Sequence, residues 1–193
     1  MEKTSVQKLA GVLKLLVTIT FICNLVALFL VPGCSRLRSL DELVEGALYF
    51  SNESSLAVTA RMMGYFVSAW QEVWLFGGPY AAVLTSFLLF CGVCTAVILW
   101  QARRVLDTIL AENTFTFENA ANMRRAAVCC FLISAAALGR TVWGLCFYRS
   151  LMPLLTYNAL FVPIFLMAGL LCMVMSALFR QAAELKAEND LTI

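Results

Sequence analysis

The chain contains no histidine, and only 13% of its 193 residues are charged. The absence of histidine removes the most common general base, the most common metal ligand and the usual physiological-pH switch. A soluble domain is about 25% charged and about 45–50% apolar, whereas this chain is 62% hydrophobic. With 14 basic and 12 acidic residues, it also lacks the basic surplus typical of nucleic-acid-binding proteins. The composition predicts an integral membrane protein that is not an enzyme.

What the chain does have is four long apolar runs. A bilayer core of about 30 Å needs about 20 mostly apolar residues in a helix, and backbone groups in lipid must be satisfied within the segment. The runs are continuous rather than alternating, which excludes membrane-spanning strands. The sequence therefore predicts a single all-α membrane domain over residues 1–193, with spans at about 9–31, 80–100, 126–148 and 154–178.

Lysine and arginine are distributed unequally between the segments that flank these runs. If the N-terminus is cytoplasmic, most of them lie on the cytoplasmic side, in agreement with the positive-inside rule. We therefore expect both termini in the cytoplasm of a bacterial inner (plasma) membrane, an outer loop at 32–79, a cytoplasmic helical hairpin at 101–125 and a cytoplasmic tail at 179–193. The cytoplasmic basic residues would be Lys3, Lys8, Lys14, Arg103, Arg104, Arg124, Arg125, Arg180 and Lys186.

The outer loop is predicted to be partly helical. Residues 39–50 begin with Ser39 followed three residues later by a glutamate, a pattern typical of a capping box. Residues 56–76 are apolar enough to resemble a fifth span but contain Arg61. A span there would move the arginine-rich hairpin to the outside, against the charge rule. We therefore expect an amphipathic or re-entrant segment on the outer face.

The first run follows a basic N-terminal lead, as the core of a secretory signal peptide does. Its end, Val31-Pro32-Gly33-Cys34, loosely resembles a lipoprotein cleavage site. The run is longer than the about 7–15 residues of a signal core, and Pro32 is badly placed beside the cut. We expect a retained signal-anchor helix, with cleavage as the alternative.

The chain has eight cysteines, of which Cys91 and Cys94 have the spacing of a redox dithiol or half a zinc site. At 1.5 Å per residue, Cys129 and Cys130 lie at a similar depth on the next, antiparallel span, so that four thiols could converge. Small apolar cysteine is also a common filler of buried helices. Because no histidine or carboxylate accompanies the four, we favour packing over a metal or redox role and expect no cofactor.

Two other cysteines, Cys34 and Cys146, fall near the outer face. In an oxidising compartment they would be a candidate disulfide. The alternative is two unrelated free thiols.

Arg140 is the one basic residue deep within a span. An intramembrane charge is a functional-site candidate by default, because burying it costs at least about 2.5–3.5 kcal/mol. Asn158 on the fourth span and Asn24 on the first are polar residues that could bond across helices. Three interpretations stay open for Arg140: a structural pair with a polar group at matching depth, a side chain that snorkels to the headgroups, and a transport role. The candidate partners for a structural pair are Asn158, Thr156 and the outer-loop Glu72.

Residues 101–125, between the second and third spans, are predicted to form a helical hairpin. Thr116 is a typical N-cap residue, and Glu118 in the following turn would interact favourably with the helix dipole. Arg103 and Asp107 have the i, i+4 spacing of a helical ion pair. The tail carries two further pairs at this spacing, Arg180 with Glu184 and Lys186 with Asp190.

Two motifs in this cytoplasmic part resemble those of a bacterial family of small four-span membrane proteins. The family is catalogued only as a domain of unknown function, number twenty-nine seventy-five. Its segment PFT-x-ENA-x-x-(L/M)RR corresponds to Thr114–Ala120 and Met123–Arg125, and its tail L-x-EENDLT(I/V) corresponds to Leu185–Ile193. The chain departs from the family at Thr114, where proline is usual, and at Ala187, where a second glutamate is usual.

The resemblance implies no established activity. Genes of this family often lie beside a small helix-turn-helix regulator, which implies a membrane protein that binds or sequesters that regulator. A plainer interpretation is that the hairpin caps the helices, with Arg124 and Arg125 at anionic headgroups. Another alternative is a small transporter or channel-like homo-oligomer that uses Arg140 and Asn158. The candidate partner-binding residues are Thr114, Phe115, Thr116, Glu118, Asn119, Arg124, Arg125, Glu188, Asn189 and Asp190.

Overall fold

The computed structural model describes residues 5–36, 63–64, 67–68, 70–75, 78–149 and 151–190, with side chains throughout except at 5–6, 32–36 and 190. These residues form four long helices, which are α1 (Ser5–Arg36), α2 (Gly78–Leu110), α3 (Phe117–Tyr148) and α4 (Tyr157–Asp190). A short 3-10 helix, Met152–Leu155, precedes α4.

Each of the four helices is long and apolar enough to cross a membrane, which confirms the prediction of an all-helical, four-span protein. The helices extend beyond the predicted spans on the side of the hairpin and tail, where α2 continues to Leu110, α3 begins at Phe117 and α4 continues to Asp190. The fourth helix begins at Tyr157, three residues later than predicted. The reason is local, because the Pro153 carbonyl accepts hydrogen bonds from the backbone N–H and the hydroxyl of Thr156 (3.4 and 2.7 Å) and so closes a tighter turn first.

The chain forms two compact units. One comprises residues 1–25 and 90–193, and the other comprises residues 26–89. In the second unit, residues 70–75 are helical, and the Trp70 indole N–H donates to the carbonyl of Phe29 over 3.3 Å. The predicted helix at 39–50 lies outside the described residues, as does most of the predicted segment at 56–76.

In the first unit, α3 is the most buried helix. In the most apolar stretch of α3, 39% of the residues are buried, against 6% in the corresponding stretch of α4. The buried face of α3 carries mainly small side chains, and these let neighbouring helices approach closely. The tightest approach is at Gly169 on α4, where an added Cβ would lie 2.7 Å from the Phe131 ring. The residues of this buried face include Ala126, Ala127, Cys130, Ser134 and Ala137.

Candidate functional site

The turn between α2 and α3 comprises residues 111–116. Near its start, Glu112 adopts a left-handed backbone conformation, with φ of 60°. Helices commonly end with a residue in this conformation, and that residue is usually glycine. The Asn113 N–H then donates to the Thr108 carbonyl over 3.0 Å. We call this turn, together with the ends of the helices that contact it, the hairpin end.

The helix that follows the turn begins at the predicted N-cap. Thr116 has extended backbone angles, and its hydroxyl accepts a hydrogen bond from the Asn119 N–H over 3.2 Å. Glu118 lies in the first turn of α3, where the helix dipole favours a negative charge. The start of α3 is therefore determined locally by these residues.

Asn119 connects three parts of the hairpin. Its Nδ2 atom donates to the Thr108 hydroxyl on α2 (2.6 Å) and to the Thr114 carbonyl in the turn (2.7 Å). The side chain is fully buried, with 0% exposed. In this structure the Asn119 side chain holds the turn. Its predicted part in binding a partner stays a prediction.

Two ion pairs join helices near the turn. Lys14 on α1 contacts Asp107 on α2 with an N–O distance of 2.6 Å, and Arg104 on α2 contacts Glu118 on α3 at 3.0 Å. Asp107, predicted to pair with Arg103, thus binds another helix. All four side chains are more than a third exposed, so each pair contributes at most about 1 kcal/mol.

The first and last helices also contact the turn itself. The Gln7 amide on α1 donates to the Glu112 carboxylate over 2.7 Å, and the Lys186 ammonium on α4 donates to the Asn113 side-chain oxygen over 3.2 Å. The beginning of α1 and the end of α4 therefore lie at the hairpin end. The predicted pair of Arg180 with Glu184 is present at 2.9 Å. The predicted pair of Lys186 with Asp190 lies outside the described side chains.

The exposed side chains of the turn include two aromatic rings. Phe115 and Phe117, on either side of the N-cap, are 52% and 55% exposed. The Phe115 ring lies 6.3 Å from the ring of Phe179 on α4, centroid to centroid. We call Phe115 and Phe117 the phenylalanine pair. Of the other predicted partner-binding residues, Glu118, Arg124, Arg125, Glu188 and Asn189 are exposed, Thr114 and Thr116 are half-buried, and the side chain of Asp190 is not described.

The predicted intramembrane polar residues form hydrogen bonds between helices. The Arg140 guanidinium on α3 donates from Nη1 to Asn158 Oδ1 on α4 over 2.9 Å. Asn24 on α1 donates to the carbonyl of Gly92 on α2 over 2.9 Å. The structure thus brings Arg140 to Asn158, one of the partners considered for it, and this contact favours the structural pair over snorkelling.

Two serines that the sequence analysis did not single out join α3 to α4. Ser134 donates to the Val162 carbonyl (2.9 Å), which lies next to Pro163, and Ser176 donates to the Ala120 carbonyl (2.7 Å). Serine within an apolar span is a signal for such a bond. Which carbonyl such a serine bonds to depends on how α4 is rotated about its own axis, and the sequence does not reveal that rotation.

Four of the described cysteines lie near one another across helices. Cys94 on α2 is near Cys129 on α3, and Cys130 on α3 is near Cys172 on α4. Within the part of the chain that the structure describes, no group of three or more Cys, Asp or Glu side chains is arranged to hold a metal ion. Cys146 carries a free thiol, but the side chain of Cys34 is not described, so their predicted pairing is untested.

Comparison with known proteins identifies one relationship. A family model described as "Protein of unknown function (DUF2975)" matches residues 66–193. The matched part contains α2, α3 and α4, the turn between α2 and α3, and both sequence motifs. No curated protein and no solved structure matches the chain.

Proposed function

The chain belongs to the DUF2975 family of proteins of unknown function, and from this premise we propose that it is a non-enzymatic membrane protein whose hairpin end binds a protein partner in the cytoplasm. The candidate partner is a small helix-turn-helix regulator, which the protein would hold at the membrane. The observation that carries the proposal is the phenylalanine pair, two large apolar side chains exposed on a turn that is itself firmly held.

The rigidity of the turn supports this proposal. Binding costs less free energy when the binding residues are already ordered. The contacts of Asn119 with Thr108 and Thr114 hold the turn beside which the two rings lie. Aromatic side chains are common among the few residues that contribute most to the affinity of an interface. The turn therefore offers two such residues in one fixed arrangement.

The charges around the phenylalanine pair also suit a protein partner. Glu118, next to Phe117, is exposed and pairs with the exposed Arg104 at 3.0 Å, so both signs of charge lie beside the pair. Mixed charge at the rim of an apolar centre is typical of protein interfaces.

Co-purification tests the proposal. The full chain, extracted in a mild detergent from its own cells, is expected to retain a small helix-turn-helix regulator. The double substitution Phe115→Ala and Phe117→Ala should lower the retained regulator at least about tenfold, because loss of two interface aromatic residues costs more than about 1.4 kcal/mol. Removal of the residues after Arg180 should also lower recovery, because it removes the Lys186 contact with the turn.

Leu155→Ala is the matched control. Leu155 is also a large apolar residue, 86% exposed, but it lies in the 3-10 helix before α4 and not at the hairpin end. Recovery of the regulator should be unchanged in this variant. Equal recovery with the wild-type chain and the double phenylalanine variant would refute the proposal, provided that both keep the same helical content by circular dichroism.

The alternative of a transporter rests on Arg140. Its guanidinium donates to Asn158 on the neighbouring helix, a contact that supports the packing of α3 on α4. This contact favours a structural role, and we therefore place transport second.

A further inference from the structure

The part of α1 that belongs to the first unit has one packed side and one exposed, apolar side. The packed side contacts α2 through residues such as Lys14, Phe21 and Asn24. Directly opposite runs a line of side chains spaced alternately three and four residues apart. Its four aliphatic members are 49–71% exposed, and its cysteine is exposed as well. We call this line the α1 stripe, which consists of Leu9, Val12, Leu16, Ile19 and Cys23.

The α1 stripe begins at the level of the charged hairpin end. Lys14 contacts Asp107 at 2.6 Å, and Gln7 donates to Glu112 over 2.7 Å. Both acidic residues are exposed, and charged side chains need water or lipid headgroups around them, so this level lies outside the hydrocarbon of the membrane. The first two members of the α1 stripe lie between Gln7 and Lys14. At this level the exposure of large apolar side chains is unfavourable.

The other end of the α1 stripe lies beside the apolar part of α2. The Phe21 ring lies 5.9 Å from the Trp100 ring, and Asn24 donates to the carbonyl of Gly92 over 2.9 Å. The stripe therefore continues without interruption from the charged level into the hydrocarbon. Lipid tails would cover only its second half, and a water-soluble protein would cover only its first. A partner that covers the whole stripe has to be a membrane-crossing helix with an apolar line of matching length.

We propose that the α1 stripe binds the α1 stripe of a second copy of this chain. Alternating spacings of three and four residues let the side chains of two helices interlock. All copies cross the membrane in the same direction, so the two helices pair in parallel and each stripe residue lies opposite its own counterpart. Charge permits this pairing, because no stripe residue is charged and Lys14 is bound to Asp107 on the opposite side of the helix. The interface does not depend on the proposed regulator.

Disulfide cross-linking of the full chain in liposomes tests the proposal. Two cysteines can be bridged only when their Cα atoms lie within about 7 Å, and a link between two Cys23 residues can join only two copies. The protein is oxidised with copper phenanthroline and digested, and linked peptides are identified by mass spectrometry. We expect a link from Cys23 to Cys23. It should persist when the lipid-to-protein ratio is raised about tenfold, whereas links from random collisions should fall in proportion.

Other positions on α1 supply the matched controls. In a chain that carries Cys23→Ser, Ile19→Cys on the stripe should restore a link between copies. Val17→Cys, which is half-buried on the side of Lys14, should give at least about tenfold less.

A charge on the stripe should separate the copies. Val12→Asp, in a chain that keeps Cys23, should lower the Cys23 link because it places like charges opposite each other. If this variant does not fold, as judged by circular dichroism, the comparison of Ile19→Cys with Val17→Cys decides. A Cys23 link no stronger than that of Val17→Cys would overturn the proposal and leave the stripe to lipid. Links from Cys23 only to another membrane protein would overturn it as well.

Discussion

The hairpin end and the α3–α4 contact are held together by different forces. At the hairpin end, exposed charged and polar side chains connect all four helices, through pairs such as Lys14 with Asp107 and Lys186 with Asn113. Along α3 and α4, small side chains let the backbones approach, as at Gly169, and serine hydroxyls donate to carbonyls of the facing helix. The surface of the first region depends on exposed polar contacts, and the second region depends on close packing of the two helices.

This difference determines which amino-acid substitutions each region can tolerate. Exposed ion pairs contribute at most about 1 kcal/mol each and weaken with salt, so the hairpin end can change its surface residues at little cost in stability. A closely packed contact tolerates larger side chains poorly, because the extra volume typically costs about 1–3 kcal/mol. We therefore expect substitutions in the α3–α4 contact to cost more stability than substitutions of exposed residues at the hairpin end.

The largest effect is expected from Gly169→Leu. A Cβ at this position would lie 2.7 Å from the Phe131 ring, so the ring or the helices have to shift to admit the whole leucine side chain. We expect a loss of about 3 kcal/mol in the free energy of unfolding. Titration with SDS in mixed micelles measures it. Gly139→Leu is the control, because a Cβ there would meet nothing within 4 Å. Equal midpoints for the two variants would contradict the assigned importance of the α3–α4 contact.

Asn119→Ala should have an intermediate effect. It removes hydrogen bonds to the Thr108 hydroxyl and the Thr114 carbonyl, and we expect a loss of about 2 kcal/mol because both partners then lack their buried donor. Amide hydrogen exchange of residues 108–120 should accelerate more than that of α4. Asn113→Ala removes one exposed contact and should leave the exchange almost unchanged. Equal exchange rates in both variants would show that Asn119 does not hold the turn.

The smallest effect is expected from Lys14→Met. The substitution breaks the ion pair with Asp107, whose two side chains are 36% and 45% exposed, so the loss should stay below about 1 kcal/mol. The loss should shrink further as salt is raised from low to high concentration, which SDS titrations at two ionic strengths measure. Lys8→Met, at an exposed position on the same helix, is the control. A large, salt-independent loss would contradict the weakness assigned to the hairpin contacts.

The sequence predicts those features that depend on local patterns. The four helices follow from apolar runs, and the start of α3 follows from Thr116, whose capping bond involves a residue three positions away. The contact of Arg140 with Asn158 could also be anticipated, because both are polar residues at matching depth in adjacent spans. The partner of Thr116 is close along the chain, and the membrane restricts which residues can lie at the same depth as Arg140.

Features that depend on the rotation of one helix against another could not be predicted. Asn119 looks like an exposed motif residue in the sequence, and only the position of Thr108 on α2 explains its burial. Cys172 and Gly169 meet α3 because of how α4 is turned about its axis. That rotation follows the 3-10 helix at 152–155, and no periodicity in α4 reveals it.

The contacts of Gln7 and Lys186 with the turn have a consequence for biosynthesis. The turn is synthesised in the middle of the chain, but it receives one contact from the first helix and another from the end of the last. Ribosomal synthesis proceeds from the N-terminus, so the Lys186 contact can form only after α4 has been made. A nascent chain stalled before α4 has the phenylalanine pair on an incompletely held turn. A partner that requires the fully held turn would therefore bind only chains whose synthesis has passed the fourth helix.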